Sequence, residues 1–162
     1  MDEEKALDTL NFYKDKGSAS LILITGKKQK REDLISKFID SEPIFIFKAT
    51  PQTTLKDFAD EYYNWIGYDK GVPKNWMDMF SKMKNVQLIP DIRLIFDEVS
   101  YMEFPDSMFI PSLKYAWDNI FSENPDLILI LGCTDETWMR ERVSFNPAFV
   151  GRISQLIRLE KN

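Results

Sequence analysis

Five short apolar segments separated by material with helical spacing predict an α/β domain of three layers, with a five-stranded, mainly parallel sheet and helices on both faces. The segments are residues 20–25, 43–47, 93–96, 127–131 and 155–159. Most are continuously hydrophobic rather than alternating, as strands covered on both faces require. A length of 162 residues suits one core rather than two, so the expectation is a single domain over residues 1–162.

The helices follow from apolar spacing. Ala6, Leu7, Leu10 and Tyr13 form one face of an opening helix, and Leu34, Ile35 and Phe38 one face of a second. A third carries Leu55, Phe58, Tyr62, Trp65 and Ile66, with Thr53 or Thr54 as its cap. Trp76, Met79, Phe80 and Met83 mark a fourth, and Leu113, Ala116, Trp117 and Ile120 a fifth. Turn-forming residues separate them, among them Pro73, Pro90, Pro105, Pro111 and Pro125. No internal repeat or low-complexity tract interrupts the pattern.

Composition removes several kinds of chemistry. Hydrophobic residues at 44% and charged residues at 29% are ordinary for a globular protein and argue against disorder. No apolar run approaches the ~20 residues that span a bilayer, and the acidic start MDEEK lacks a signal peptide's basic charge, so a cytoplasmic location without membrane association is expected. The absence of histidine excludes histidine-dependent catalysis and histidine-ligated zinc, while Cys133 has no second cysteine to pair with. A net charge of −5 disfavours a broad electrostatic grip on nucleic acid, although Lys27, Lys28, Lys30 and Arg31 make a local basic cluster.

That cluster lies in LILITGKKQKREDLISKF, which reads as strand, glycine turn, basic loop and helix, the layout of a phosphate-binding loop. A working loop follows G-x-x-x-x-G-K-[ST]: glycines free the backbone N–H groups to wrap phosphates, the lysine reaches them, and the hydroxyl binds magnesium. Gly26 alone matches. With Leu34, Ile35 and Phe38 as helix core positions, the loop is one residue short and its second glycine is missing. Arg31 then stands where lysine belongs and Glu32 replaces the hydroxyl. An arginine fork is no substitute for a compact ammonium, and Glu32 would repel phosphate. Three readings stay open: a solvated basic turn before a helix whose first turn carries Glu32 and Asp33, a decayed phosphate site, or a loop that still binds a nucleotide or another anion through Gly26, Lys27, Lys28, Lys30 and Arg31.

The strongest chemical signal is RLIFDEVSYM, an apolar strand ending in Asp97 and Glu98. This is the Walker B pattern: in an ATPase the aspartate holds magnesium and the glutamate orients or deprotonates the attacking water. A later strand ends in Gly132, Cys133, Thr134 and Asp135, which makes Thr134 the candidate sensor of a γ-phosphate.

With these motifs quoted, the chain resembles the archaeal-type ATPases of the AAA+ and STAND-related group. The resemblance runs over almost the whole sequence, through NWMDMF, FDEVSYM, LKYAWDNIF, LILILGCTDETWM and FVGRISQLIRL. It implies a P-loop NTPase fold with strand order 5-1-4-3-2 and a site for ATP and magnesium formed by Gly26 and its loop, Asp97 as metal ligand, Glu98 and Thr134. It also implies a phosphate-sensing or subunit-contacting role for Arg152, for which capping a turn is the alternative. Relatives read close to G-R-R-x-x-G-K-T in the loop, and they continue beyond the fifth strand into a helical lid and further domains. The expectation is therefore a core domain with a degenerate Walker A loop, either excised or truncated. The function expected is a weakly active or inactive ATPase serving as an interaction module, its partner another protein or the absent C-terminal part. Magnesium-dependent ATP hydrolysis and nucleic-acid binding are the alternatives.

The four tryptophans, Trp65, Trp76, Trp117 and Trp138, are expected in the core. The apolar stretch Met102, Phe104, Met108, Phe109 and Ile110 reads as either a partner surface or a buried flap.

Overall fold

The computed structural model describes residues 1–103 and 108–161; Phe104 lies outside them. Strands β1 (Ser20–Thr25), β2 (Ile44–Lys48), β3 (Arg93–Asp97), β4 (Ile128–Cys133) and β5 (Gln155–Arg158) form one five-stranded sheet of order β2-β3-β4-β1-β5. Every pairing is parallel. This is the expected order read from the opposite edge. The continuously apolar segments are the central strands: β1, β3 and β4 are buried throughout, whereas the edge strands β2 and β5 are partly exposed.

Helices α1 (Glu3–Lys14) and α2 (Lys28–Phe38) cover one face through Ala6, Leu10, Leu34 and Phe38 on Ile22, Ile24, Ile130 and Ile157. The other face carries α3 (Leu55–Ile66), α4 (Trp76–Ser81), the single turn α5 (Ser100–Glu103) and α6 (Phe109–Asn119). Local chemistry fixes the helix ends. Asp2 caps α1 by accepting from the Lys5 N–H at 2.8 Å. Thr54 and Asp57 exchange hydrogen bonds in a capping box at the start of α3, and Gly67 ends that helix with φ 75°, a left-handed conformation that glycine adopts without a Cβ clash.

The segment after β4 forms elements that the sequence reading did not assign. Asp135 caps a short α7 (Glu136–Met139), a π-helical turn follows (Arg140–Ser144), and Met139, Val143 and Phe149 reach the core. Their spacing matches no single helical period, which hid the element from a periodicity reading. Trp76 and Trp117 are buried, while Trp65 and Trp138 are partly exposed. Met102, Phe109 and Ile110 are buried, which favours the flap reading for those three residues.

An aromatic cluster holds α3 and α4 to the sheet. The Phe58 ring lies 5.6 Å from Phe45, 5.0 Å from Phe47, 5.2 Å from Trp76 and 5.4 Å from Phe96, all edge-on. Such pairs add to the burial of large apolar area. Replacing Phe58 by alanine is expected to lower the stability measured by urea unfolding by about 3–5 kcal/mol, because the ring's many neighbours cannot all collapse into the space it leaves.

Candidate functional site

Parallel strands bring their C-terminal ends to one edge of the sheet, the place where open α/β sheets bind ligands. Gly26 follows β1, Asp97 ends β3 and Thr134 follows β4. Because β3, β4 and β1 are neighbours, these three residues are brought together. The turn after β1 is very short. Lys27 is the N-cap of α2, which starts at Lys28, and the Arg31 N–H already donates to the Lys27 carbonyl at 3.0 Å. Between Gly26 and the helix there is a single residue, so no loop of N–H groups wraps a ligand position.

The first turns of α2 point Arg31 inward, where it is 1% exposed. Its Nε donates to Asp97 Oδ1 at 3.0 Å. One terminal nitrogen donates to Asp97 Oδ2 at 3.3 Å and to Glu98 Oε1 at 2.6 Å. The other donates to Thr134 Oγ1 at 2.8 Å and to the Gly26 carbonyl. A guanidinium has five N–H donors, and here each has a partner. Thr134 completes the ring, giving Glu98 Oε1 its backbone N–H and its hydroxyl, each at 2.8 Å.

Two backbone features make room for this arrangement. Glu98 has φ 53°, a left-handed conformation uncommon for a residue with a Cβ, and the turn that follows sends the Val99 N–H to the Gly132 carbonyl at 3.0 Å. Gly132 lies directly beneath the ion pair: a Cβ there would overlap Asp97 Oδ1 and come within 3.3 Å of Arg31 Nε. Gly26, with φ 140°, backs onto Leu159, whose Cβ would be 2.9 Å from any Cβ added at that position. Gly132 and the bend at Glu98 were missed from the sequence. A glycine closing an otherwise branched strand, ILILGC, is the signal that pointed to close packing there.

The remaining basic residues are not part of this network. Lys27 and Lys28 are exposed, and Lys28 is 3.8 Å from Glu32. Lys30 donates to the Glu160 carbonyl at 2.8 Å. Glu32 lies 3.8 Å from Lys28 and 4.0 Å from Lys48. Lys27 and Lys28 fit a solvated turn, Arg31 does not because it is buried, and one residue separates Gly26 from α2.

Arg152 is elsewhere altogether. It precedes β5 and so lies at the N-terminal edge of the sheet, opposite Asp97. There it holds Asp118 near the end of α6 through bonds of 2.7 and 3.1 Å and bonds the Val150 carbonyl. These bonds draw the Asp118 carboxyl below the usual range of an aspartate. A role in sensing phosphate at this site is excluded by that position, and the turn-capping alternative fits it.

Solved structures with this architecture exist. A structure of Drosophila ORC bound to DNA aligns with TM-score 0.64 at 16% identity, covering 98% of this chain and 90% of that one. The Aeropyrum pernix ORC2 protein aligns with TM-score 0.65 at 14% identity, and the Walker-type ATPase PABY2304 of Pyrococcus abyssi with 0.63 at 14%. The fold is the one these structures share, a five-stranded parallel sheet with helices on both faces. Identities this low carry the fold alone. The chain spans 46% and 53% of the two archaeal proteins. No family model matches the chain, and comparison with curated proteins gives no match.

The Arg31 network yields a stability prediction. Arg31→Met leaves two carboxylates packed together without their cation, and unfolding experiments are expected to show a loss of about 3–5 kcal/mol. Adding Asp97→Asn to that variant should recover part of the loss. If the two substitutions instead add independently, Arg31 and Asp97 are not a coupled pair.

Proposed function

We propose that this domain is a AAA+-like module that works without magnesium and ATP and acts through contacts with other macromolecules. One observation supports the reading above all: the Arg31 guanidinium stands among Asp97, Glu98 and Thr134, with every donor bonded. In an ATPase of this fold the same acids would face a hydrated magnesium ion and the nucleotide phosphates.

The residues present do not fit that cofactor pair. Magnesium takes carboxylate oxygens at about 2.1 Å and tolerates no second cation in the same place, and Arg31 is that cation. The single-residue turn offers no cradle, and Leu159 closes on Gly26 from the β5 side. Glu98 Oε1 is taken up by Arg31 and by the Thr134 N–H and hydroxyl, which ties that carboxylate to the side-chain cation. No hydrolytic step follows from this arrangement.

The competing reading, a magnesium-dependent ATPase, keeps the favourable placement of Asp97 and Glu98 at the sheet edge but requires Arg31 to leave its pocket. Nucleic-acid binding is less well supported. The Drosophila neighbour is bound to DNA, but this chain has a net charge of −5, and of its basic cluster Lys28, Lys30 and Arg31 already have partners.

Calorimetric titration with ATP separates the first two readings. No binding heat is expected, with or without magnesium. Tight, magnesium-dependent binding that disappears in Asp97→Asn would overturn the proposal.

A further inference from the structure

Side chains alternate between the two faces of a strand, and in β5 the two faces differ. Ile157 is buried against the α1 and α2 side, whereas Leu156 and Arg158, on the other face, are exposed. Beside them a cavity of about 160 Å³ opens between β5, the end of β1, α7 and the π-helical turn. Met139, Phe145 and Leu156 form its apolar lining, and Phe145 is 75% exposed.

Three polar side chains line the same cavity: Thr25, Arg140 and Ser144. Thr25 is only 3% exposed, yet its hydroxyl has no hydrogen-bond partner among the described residues. The Ser144 hydroxyl and the Arg140 guanidinium have none among them either. Arg140 is alone in this among the arginines of the described residues. Arg31, Arg142 and Arg152 hold carboxylates, Arg93 bonds backbone carbonyls, and Arg158 pairs with Glu136. A buried hydroxyl without a partner costs free energy, and an oxyanion in the cavity would supply one to all three groups. The turn that carries Arg140 and Ser144 is also uncommon: the Phe145 N–H reaches back five residues to the Arg140 carbonyl at 2.8 Å. Single π-turns of this kind occur frequently at functional sites.

The lining also decides which oxyanion fits. Two arginines stand against one carboxylate, Glu136, which leaves a single net positive charge and disfavours a dianion such as phosphate. A planar carboxylate matches the fork of a guanidinium, as it does at Arg31, Arg142 and Arg152. The cavity is far smaller than the roughly 300–1,000 Å³ of a site for drug-sized molecules, so the group that enters is small. We propose that it binds a carboxylate carried on a short apolar chain, either a free acid or the last residue of a polypeptide. Arg140 and the two hydroxyls hold the carboxylate, and Met139, Phe145 and Leu156 cover the chain. None of these residues bonds to Arg31, so the inference is independent of the role of that network.

The test is NMR titration of the full chain with monocarboxylic acids from acetate to isovalerate and hexanoate, and with N-acetylleucine. Inorganic phosphate and isoamyl alcohol are the controls. Saturable shifts are expected at the Thr25 and Ser144 amides and the Arg140 Nε–H, with isovalerate bound more tightly than acetate, phosphate or the alcohol. N-acetylleucine binding more tightly than every free acid assigns the site to a chain end, and the reverse order assigns it to a free acid. Arg140→Gln, at an exposed position, should weaken binding about tenfold or more. Thr25→Val should weaken binding while leaving the urea midpoint unchanged or raised, because it removes an unpaired buried hydroxyl and keeps the branched shape. If that variant fails to fold, Arg140→Gln decides alone. The proposal is overturned if no acid gives saturable shifts, if phosphate or the alcohol binds as well as isovalerate, or if Arg140→Gln binds unchanged.

Discussion

The C-terminal edge of the sheet is organised around one buried cation. Arg31 reaches from the first turns of α2 across the ends of β1, β4 and β3, and its five donors tie together residues that are distant in sequence. Removing a guanidinium from water is expensive, and only a complete set of partners with opposite charge offsets that loss. The neighbouring features each serve this requirement. The short turn after Gly26 brings α2 close enough, Gly132 leaves space beneath the pair, and the left-handed backbone at Glu98 swings the second carboxylate into reach.

The same requirement can be met in more than one way. Two adjacent acids at a strand end need a positive partner in any state of the protein. Where a metal ion and a phosphate loop supply it, the site is open and its occupancy varies with the ligand. Where a side chain supplies it, the site is filled as soon as the chain folds. The edge then contributes stability and fixes α2 against the sheet.

Much of the fold was legible from patterns that depend on local sequence. Continuous apolar runs identified the central strands, and Thr54 and the spacing of Phe58, Tyr62 and Trp65 identified α3. The strand order came from the resemblance rather than from periodicity, since pairing between segments far apart leaves no mark on either one. The site was legible in part. Asp97, Glu98, Thr134 and Gly26 were picked out by motif, and the structure gathers them. Arg31 was noticed only as a misfit in a loop, because its destination is set by the path of α2 and by acids 66 and 67 residues away. For Arg152 the resemblance left a phosphate-sensing or subunit-contacting role open beside the capping of a turn, and its place before β5 directs it to Asp118.

The most direct measurement of the central claim is NMR observation of the Arg31 side-chain Nε–H, together with the Gly26 and Thr134 amides, during addition of magnesium and ATP. A fully bonded, buried guanidinium predicts a slowly exchanging Nε–H signal, with none of the three resonances shifted by the nucleotide. A signal already lost to fast exchange in the free protein, or one that moves together with Gly26 and Thr134 as magnesium-ATP is added, would contradict the account.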